Sequence, residues 1–182
     1  IHEMETKLAA VAKGEFSLDN RMLLYVRVLG HDGWEGHALN DVVVTKGRLQ
    51  QAIDFSIYCD DILVEHYRGD GVIIATPTGS TAYSLAAGGP ILDSQTKGVV
   101  VTPICPHTMR SRSVMISHKR TVTVKALRKT GYPMQVIADG TNICDIEGGS
   151  EVTIKTAERT VKFIRLKNYS FYDVLNKKQE LR

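Results

Sequence analysis

Most of the chain between residues 21 and 166 alternates short apolar, β-branched runs with polar or glycine-containing turns. Clear examples are TVTVKAL (121–127) and EVTIKT (151–156), in which polar and apolar residues alternate. Such alternation is typical of strands with one buried face, and many short strands at close spacing indicate packed antiparallel sheets. The pattern therefore predicts a mainly β fold, an antiparallel β-sandwich over residues 21–166.

The two termini have a different pattern. Residues 4–13, METKLAAVAK, favour a helix that ends at Gly14, and Ser17–Arg21 are predicted to be a polar connection. From Phe171 to Leu181 the apolar residues Phe171, Val174 and Leu175 are spaced i, i+3, i+4, which predicts a helix with an apolar stripe.

No linker or repeat interrupts the chain, so we predict one domain over residues 1–182. Its parts are an N-terminal helix and connection (1–20), the sandwich (21–166) and a helical tail (167–182). Within the sandwich, the runs DFSIYC and ILVEHY flank Asp60-Asp61, which predicts a hairpin.

The segment from Gly69 to Pro90 contains the strongest candidate for a site. Its apolar run from Val72 to Ile74 predicts a strand that Pro77 ends. Ser80 or Thr81 is then expected to cap a short helix from Ala82 to about Ala87. Six hydroxyl residues fall within nine positions, namely Thr76, Thr78, Ser80, Thr81, Tyr83 and Ser84. Such density favours a polar ligand, often an anionic one, at the helix start, although a simple helix cap would use the same residue types.

Composition and charge exclude several classes of function. The 23 basic and 20 acidic residues nearly cancel, which is not the pattern of a nucleic-acid-binding protein. No apolar run approaches about 20 residues, so no membrane span is expected. The cysteines Cys59, Cys105 and Cys144 are odd in number and widely spaced, which favours a reducing, cytoplasmic location.

Common catalytic and metal-binding motifs are absent from the sequence. There is no GxxxxGK[ST] phosphate loop, and Ile74 occupies the third glycine position of the GxGxxG that Gly69 would begin. The six histidines form no HExxH or other paired spacing, so no metal site is predicted.

Several segments together resemble one enzyme family, the NAD kinases. They are HALNDVVV (37–44), RGDG (68–71), TPTGSTAYSLAAGGPI (76–91), TPICPHTMRSRSVMI (102–116), Asp139-Gly140 and VKFIRLKNYSFYDVLNKK (161–178). These enzymes phosphorylate the 2′-hydroxyl of the adenosine ribose of NAD to form NADP. The matches follow the family order over nearly the whole chain.

The resemblance implies a set of residues that bind NAD. They are Asn40, Asp41, Arg68, Asp70, Thr78, Thr81, Ala82, Tyr83, Ser84, Leu85, Ala86, Cys105, His107 and Thr141. It also implies that Arg68 pairs with Asp70 or with the nucleotide pyrophosphate, and that Cys105 and His107 line the nicotinamide side, in some members from a neighbouring subunit. Two positions depart from the common pattern: Asp41 stands where many members have Glu, and Thr141 where many have Gln.

One family element is missing from this sequence. The family's catalytic aspartate lies in a Gly-Gly-Asp-Gly motif of an N-terminal domain, and no such motif occurs here. The chain is therefore expected to be the C-terminal domain of a longer NAD kinase, with no catalytic residue of its own. It should bind NAD or NADP and form a homodimer or homotetramer, and be inactive alone. In the full enzyme, ATP would act with Mg²⁺ or another divalent metal.

Two alternatives remain at this point. The C-terminal domain of a lipid or diacylglycerol kinase has a similar β architecture, but the intact TPTGSTAYS argues against it. A non-catalytic β-sandwich used for binding or assembly is the second alternative, and it predicts that changes at Thr81 or Tyr83 affect only stability.

Overall fold

The computed structural model describes residues 2–29, 34–48, 51–108, 110–126, 133–166 and 170–180, and within these ranges the chain is mainly β. The first six-stranded sheet has, in spatial order, β2 (Glu35–Ala38), β1 (Ser17–Leu29), β12 (Glu151–Arg165), β9 (Val122–Ala126), β4 (Ile53–Cys59) and β5 (Ile62–Gly69). The second has β11 (Thr141–Ile146), β10 (Met134–Ala138), β3 (Asp41–Thr45), β6 (Gly71–Ala75), β7 (Gly98–Ile104) and β8 (Val114–Ser117). The strand pairs with defined registers are antiparallel, which confirms the predicted architecture.

The main hydrophobic core lies between the two sheets. Leu24, Phe55 and Ile57 contribute from the first sheet, and Val42, Ile74 and Met134 from the second. Successive residues of a strand point to opposite faces, so β3 and β6 each send every second residue into this core.

A second, smaller core covers the outer face of the second sheet. Its buried residues are Val43, Ile73, Ala75, Leu92, Val100 and Ile104, and Ala87 packs against them. Leu92 and Ala87 belong to the segment between β6 and β7, which forms a third layer. Both faces of β6 are therefore buried, and this explains its uninterrupted apolar sequence GVIIA.

The helices confirm the predicted character of the termini. The terminal helices are α1 (His2–Ala12) and α3 (Phe171–Glu180). Between β6 and β7, a 3₁₀ turn spans Gly79–Thr81 and a short helix α2 spans Tyr83–Ala86. The main-chain N–H of Asp173 donates to Ser170 Oγ at 3.3 Å, which caps α3. The predicted stripe includes Val174, whose side chain lies outside the described residues.

The prediction of a polar connection at Ser17–Arg21 is wrong, because β1 already begins at Ser17. The polar side chains are compatible with a strand since they pair with each other. Asp19 Oδ2 accepts hydrogen bonds from Arg21 Nη2 at 2.6 Å and Arg165 Nη2 at 3.0 Å. Burial alone would raise the pKa of Asp19, but the hydrogen bonds from both guanidinium groups outweigh it and lower the pKa.

The predicted helix from Ala82 to Ala87 with a Ser80 or Thr81 cap is also wrong in detail. The 3₁₀ turn comes first, and Ala82, with φ −100° and ψ −126°, separates it from α2. The residues at the two N-cap positions, Thr78 and Ala82, make no capping hydrogen bond with their side chains. The hydroxyls that were expected to cap the helix bind other main-chain groups.

The chain divides into two units, Ile1–Arg21 with Thr160–Arg182, and Met22–Arg159. All predicted site residues belong to the second unit. The division into 1–20, 21–166 and 167–182 within one domain stays a prediction. In the part of the chain that the structure describes, no helix has both the length and the apolarity to cross a bilayer.

Candidate functional site

The six hydroxyl residues of the segment 76–84 fall into two sets. The buried set is Thr76, Ser80 and Ser84, and the accessible set is Thr78, Thr81 and Tyr83. Ser84 Oγ and Thr102 Oγ1 share a hydrogen bond of 2.9 Å that ties α2 to β7. Ser84, a predicted NAD-binding residue, is therefore buried, whereas Tyr83 is 46% exposed. Ala82 and Ala86 are exposed and Leu85 is half-buried.

Thr76 joins the end of β6 to the turn before β3. Its Oγ1 donates to the Leu39 carbonyl at 2.6 Å and accepts from the Gly79 N–H at 3.1 Å. Its own N–H donates to the Asn40 carbonyl at 2.8 Å. Thr76 itself is fully buried, and an unpaired polar group is costly in such a position. Thr76 therefore fixes the position of the Leu39–Asn40 turn.

Ser80 holds the other side of the same segment. Its Oγ donates to the Pro77 carbonyl at 2.7 Å and accepts from the Leu92 N–H at 3.0 Å. These contacts occupy the hydroxyl that was predicted to cap the helix, and they bind the segment to the second core.

Gly79 is required because the main chain of Asn40 passes directly against it. A Cβ at position 79 would overlap the carbonyl oxygen, carbonyl carbon and Cα of Asn40. Only glycine permits this approach. The turn that carries Asn40 and the turn that carries Thr78 are thus packed together without a side chain between them.

Asp139 binds the same turn from the opposite side. With Gly140 it forms the two-residue connection between β10 and β11, and both residues have positive φ, +46° and +79°. This conformation favours the Asp-Gly pair found here. The Asp139 carboxylate accepts three main-chain N–H groups, from Leu39 at 2.7 Å, Asn40 at 2.7 Å and Asp41 at 3.2 Å.

Asp41 is an ionisable group in a largely buried position. It is 5% exposed, and in β3 it lies opposite Ala75 of β6. Burial, and then the charge of Asp139, raise the pKa of Asp41 from 3.8 to about 6. Among the described residues, none donates a hydrogen bond to its carboxyl group. An acceptor of this kind is suited to hydroxyl donors from a ligand.

The structure contradicts the expectation that Arg68 pairs with Asp70. The partner of Asp70 is Lys46, whose Nζ lies 2.7 Å from Oδ1. Arg68 is exposed and its Nε donates to the Ala52 carbonyl at 3.3 Å. Strand register explains the change, because Thr45 lies opposite Gly71 and so places Lys46 beside Asp70. The other predicted partner of Arg68, a pyrophosphate, stays a prediction.

Cys105 and His107 lie beside Arg68 and Asp70. The His107 N–H donates to the Arg68 carbonyl at 2.7 Å, and the Asp70 N–H donates to the Ile104 carbonyl at 2.9 Å. Cys105 is exposed and has φ +45°, a conformation that is uncommon for a side-chain-bearing residue.

The predicted site residues thus form two groups at opposite ends of β6. The Asn40 group comprises Asn40, Asp41, Thr78, Thr81 and Thr141, with Ala82–Ala86 following Thr81. The Asp70 group comprises Arg68, Asp70, Cys105 and His107. The five residues of β6 lie between Asp70 and Thr76, so six steps of extended chain place the two residues roughly 20 Å apart. One copy of the chain does not bring all of the predicted residues together.

Sequence reasoning noted Thr76, Gly79 and Asp139-Gly140 as parts of motifs but gave them no role in building these groups. It did not identify Lys46 at all. Asp-Gly between two apolar runs is a recognisable hairpin signal. The partners of Thr76 and Lys46 depend on strand register, which the local sequence does not contain.

Comparisons with known proteins identify the family of this chain. The model of the ATP-NAD kinase C-terminal domain matches residues 39–166. An NAD kinase of Carboxydothermus hydrogenoformans is 40% identical over 179 residues, which are 97% of this chain and 63% of that protein. An NAD kinase of Clostridium perfringens is 38% identical over 178 residues, which are 98% and 64% respectively. The chain spans less than two thirds of the length of these curated relatives.

Two solved structures share the fold. A crystal structure of an Archaeoglobus fulgidus NAD kinase in complex with ATP has a TM-score of 0.76 and 27% identity, and the match covers 98% of this chain and 66% of that one. A yeast NADH kinase complexed with NADH has a TM-score of 0.91 at 22% identity, with coverage of 98% and 55%. The second likeness supports the fold alone.

Proposed function

Since this chain belongs to the family of ATP-NAD kinase C-terminal domains, we propose that it is the nucleotide-binding domain of a longer NAD kinase. The family match confirms the resemblance inferred from the sequence and favours it over a lipid kinase domain. The longer protein would transfer the γ-phosphoryl group of ATP to the 2′-hydroxyl of the adenosine ribose of NAD, and the product would be NADP.

The observation that carries the proposal is the construction of the Asn40 group. Asn40 and Asp41 are fixed by the Asp139 carboxylate, and Gly79 brings Thr78 against them. Asp41 is 5% exposed, and no described residue donates a hydrogen bond to its carboxyl group. Ribose hydroxyls would supply such donors, and the amide of Asn40 can both donate and accept.

We propose that the chain alone binds NAD or NADP without transferring phosphate. The sequence contains no Gly-Gly-Asp-Gly, the motif in which the family's catalytic aspartate lies. Catalysis would then require the part of the protein that precedes this chain in its relatives.

Among the described residues, no three His, Cys, Asp or Glu side chains are grouped to hold a metal ion. Mg²⁺ typically binds substrate phosphates together with one or two carboxylates. We therefore propose that Mg²⁺ or another divalent metal accompanies ATP in the full-length enzyme.

We also propose that the protein is a homodimer or homotetramer in which two copies complete one site. The Asp70 group lies roughly 20 Å from the Asn40 group of the same copy, across the length of β6. If both groups contact one nucleotide, the Asp70 group of a second copy is the simplest way to supply the missing contacts.

The edge of the first sheet supports this assembly. In the edge strand β5, Ile62, Leu63 and Val64 are 68%, 52% and 38% exposed, an apolar stretch that monomers rarely leave uncovered. The same strand leads to Arg68 and ends next to Asp70. A second copy seated here would cover the apolar residues beside the Asp70 group.

A cytoplasmic location is part of the proposal. Cys59, Cys105 and Cys144 are free in the structure, as expected for a protein of a reducing compartment.

Nucleotide binding is tested by thermal unfolding of the protein with NAD or NADP. A ligand at 100 times its Kd stabilises the folded state by about 2.7 kcal/mol, which raises Tm by several degrees. Thr81→Val should reduce this shift, and the matched control Thr123→Val, on β9 of the other sheet, should retain it. No shift with either nucleotide in the wild-type full-length protein would contradict the proposal.

The shared site is tested by mixing two full-length variants, Asn40→Ala and Asp70→Ala. Each should be nearly inactive as a kinase. If sites are shared, mixed oligomers after subunit exchange contain some sites with both residues intact, so activity returns. Activity that stays at the level of the separate variants, in oligomers shown to have exchanged, would overturn the shared site.

A further inference from the structure

Asp139 occupies a turn but acts on a distant part of the chain. The Asp139-Gly140 turn lies at the end of the β10–β11 hairpin, almost one hundred residues after the turn that its carboxylate contacts. The Asp139 N–H also donates to the Asp41 carbonyl at 3.1 Å. Side chain and main chain of one residue therefore both hold the start of β3.

The carboxylate contacts are unusual in number. Oδ1 accepts from Asn40 and Asp41, and Oδ2 accepts from Leu39, so three consecutive N–H groups converge on one side chain. Hydrogen bonds to an ionised acceptor are stronger than bonds between neutral groups. The direction in which the side chains of Asn40 and Asp41 leave the main chain is thus set by Asp139.

Asp139 also places a negative charge next to a second carboxyl group. The pKa of Asp41 rises to about 6 through burial and, after that, through the charge of Asp139. On β6, the residues beside Asp41 are Ala75 and Thr76, which do not titrate in this range. Asp139 is therefore the charged neighbour that changes the ionisation of Asp41.

We propose that Asp139 is a positioning residue for nucleotide binding: it fixes the Asn40–Asp41 turn and controls, through its charge, how strongly Asp41 accepts hydrogen bonds. The proposal rests on the proposed function, because the ligand is the nucleotide of that site. A purely structural role for Asp139 would affect folding and affinity but leave the pH dependence of binding unchanged.

The test measures the Kd of NAD by calorimetry between pH 5 and pH 8 in the full-length protein. The wild type should lose affinity as pH falls through about 6, because a protonated Asp41 is a poorer acceptor for a ribose hydroxyl. Asp41→Asn should bind more weakly and show no such loss.

The decisive variant is Asp139→Asn, which keeps the size of the side chain and tolerates positive φ. Its affinity at pH 8 should be on the order of three- to tenfold weaker, since the amide cannot accept from both sides. The acidic loss of affinity should move to lower pH, because removing the charge of Asp139 lowers the pKa of Asp41. A loss at the same pH as in the wild type would overturn the proposal.

A second variant guards against misfolding. Asp139→Gly also tolerates the turn conformation and removes the carboxylate entirely. Circular dichroism shows whether Asp139→Asn folds. If it does not fold, Asp139→Gly should show the same shift of the affinity loss to lower pH. An unchanged pH dependence in Asp139→Gly would also overturn the proposal. Failure of the wild type to bind NAD or NADP at any pH would instead overturn the proposed function, and with it the role of Asp139.

Discussion

The two ends of β6 carry polar groups that are built in different ways. At the Ala75 end, Thr76 and Gly79 are buried and held to the Asn40 turn by main-chain contacts, and the Asp41 carboxyl has no donor among the described residues. At the Gly71 end, Asp70 is partly exposed and paired with Lys46. At the Ala75 end, the Asp41 carboxyl is thus a hydrogen-bond acceptor without a donor, whereas at the Gly71 end the charge of Asp70 is paired with Lys46. Preorganisation at one end and exchangeable partners at the other suit different tasks in ligand binding.

The largest effect should come from Gly79→Ala, which forces the two turns of the Ala75 end apart. The new Cβ would overlap main-chain atoms of Asn40, and backbone cannot move as a flexible side chain can. We expect the free energy of unfolding to fall by about 3 kcal/mol. Urea unfolding followed by the fluorescence of Trp34, the single tryptophan, measures this change.

Gly88→Ala is the matched control for this prediction. Position 88 has φ +86° and open space around an added Cβ, so only backbone strain is introduced. The cost should be about 1 kcal/mol. Equal costs at the two positions would mean that the close approach to Asn40 is not a constraint.

Asp41→Asn should reveal the cost of burying a carboxylate at the Ala75 end. A carboxyl whose pKa rises from 3.8 to about 6 on folding binds more protons in the folded chain, so its contribution to stability is present below pH 4 and is lost as pH rises to 6. The asparagine variant lacks this loss. Its stability relative to the wild type should improve by about 2 to 3 kcal/mol between pH 4 and pH 7. A difference that is constant with pH would contradict the raised pKa.

Equivalent threonines allow the two ends to be compared directly. Thr76 is fully buried and its Oγ1 bonds two main-chain groups, whereas Thr45 Oγ1 donates to the Asp70 carbonyl at 3.0 Å from a half-buried position. Thr76→Val should destabilise the protein by about 2 kcal/mol and Thr45→Val by about 0.5 kcal/mol. Denaturant midpoints of the two variants decide this, and the reverse order would refute the contrast between the ends.

A small effect is also expected from Lys46→Met. The ion pair with Asp70 is partly exposed, and such pairs contribute about 1 kcal/mol or less. The loss should shrink further at 1 M salt, where charges are screened. Unfolding curves at low and high salt measure it, and a salt-independent loss of several kcal/mol would show that Lys46 has a structural role beyond the pair.

Local sequence determined much of the fold. The Asp60-Asp61 hairpin, the alternating strands β9 and β12 and the terminal helices were all predictable, because each depends on residues within a few positions. The strand from Ser17 to Arg21 was not, since its charged residues are compatible with a strand only when Arg165 pairs with Asp19.

In the candidate site, too, local features were predictable from the sequence, whereas contacts between distant residues were not. The hydroxyl density of residues 76–84 marked this segment as a candidate, but it did not show which hydroxyls are buried. Ser80 binds Leu92 instead of capping a helix, and Asp70 binds Lys46 instead of Arg68. These partners are set by sheet register and by the third layer, neither of which is encoded in the neighbouring residues.

The length of β6 has a consequence for how this chain can diverge. Its five residues are buried on both faces and tied to other main chain at both ends. One inserted residue would turn every side chain beyond it to the wrong core, and two would lengthen the strand by about 7 Å. In related sequences, insertions and deletions should therefore occur in open turns such as Asp60-Asp61, while β6 keeps five residues and so a constant length.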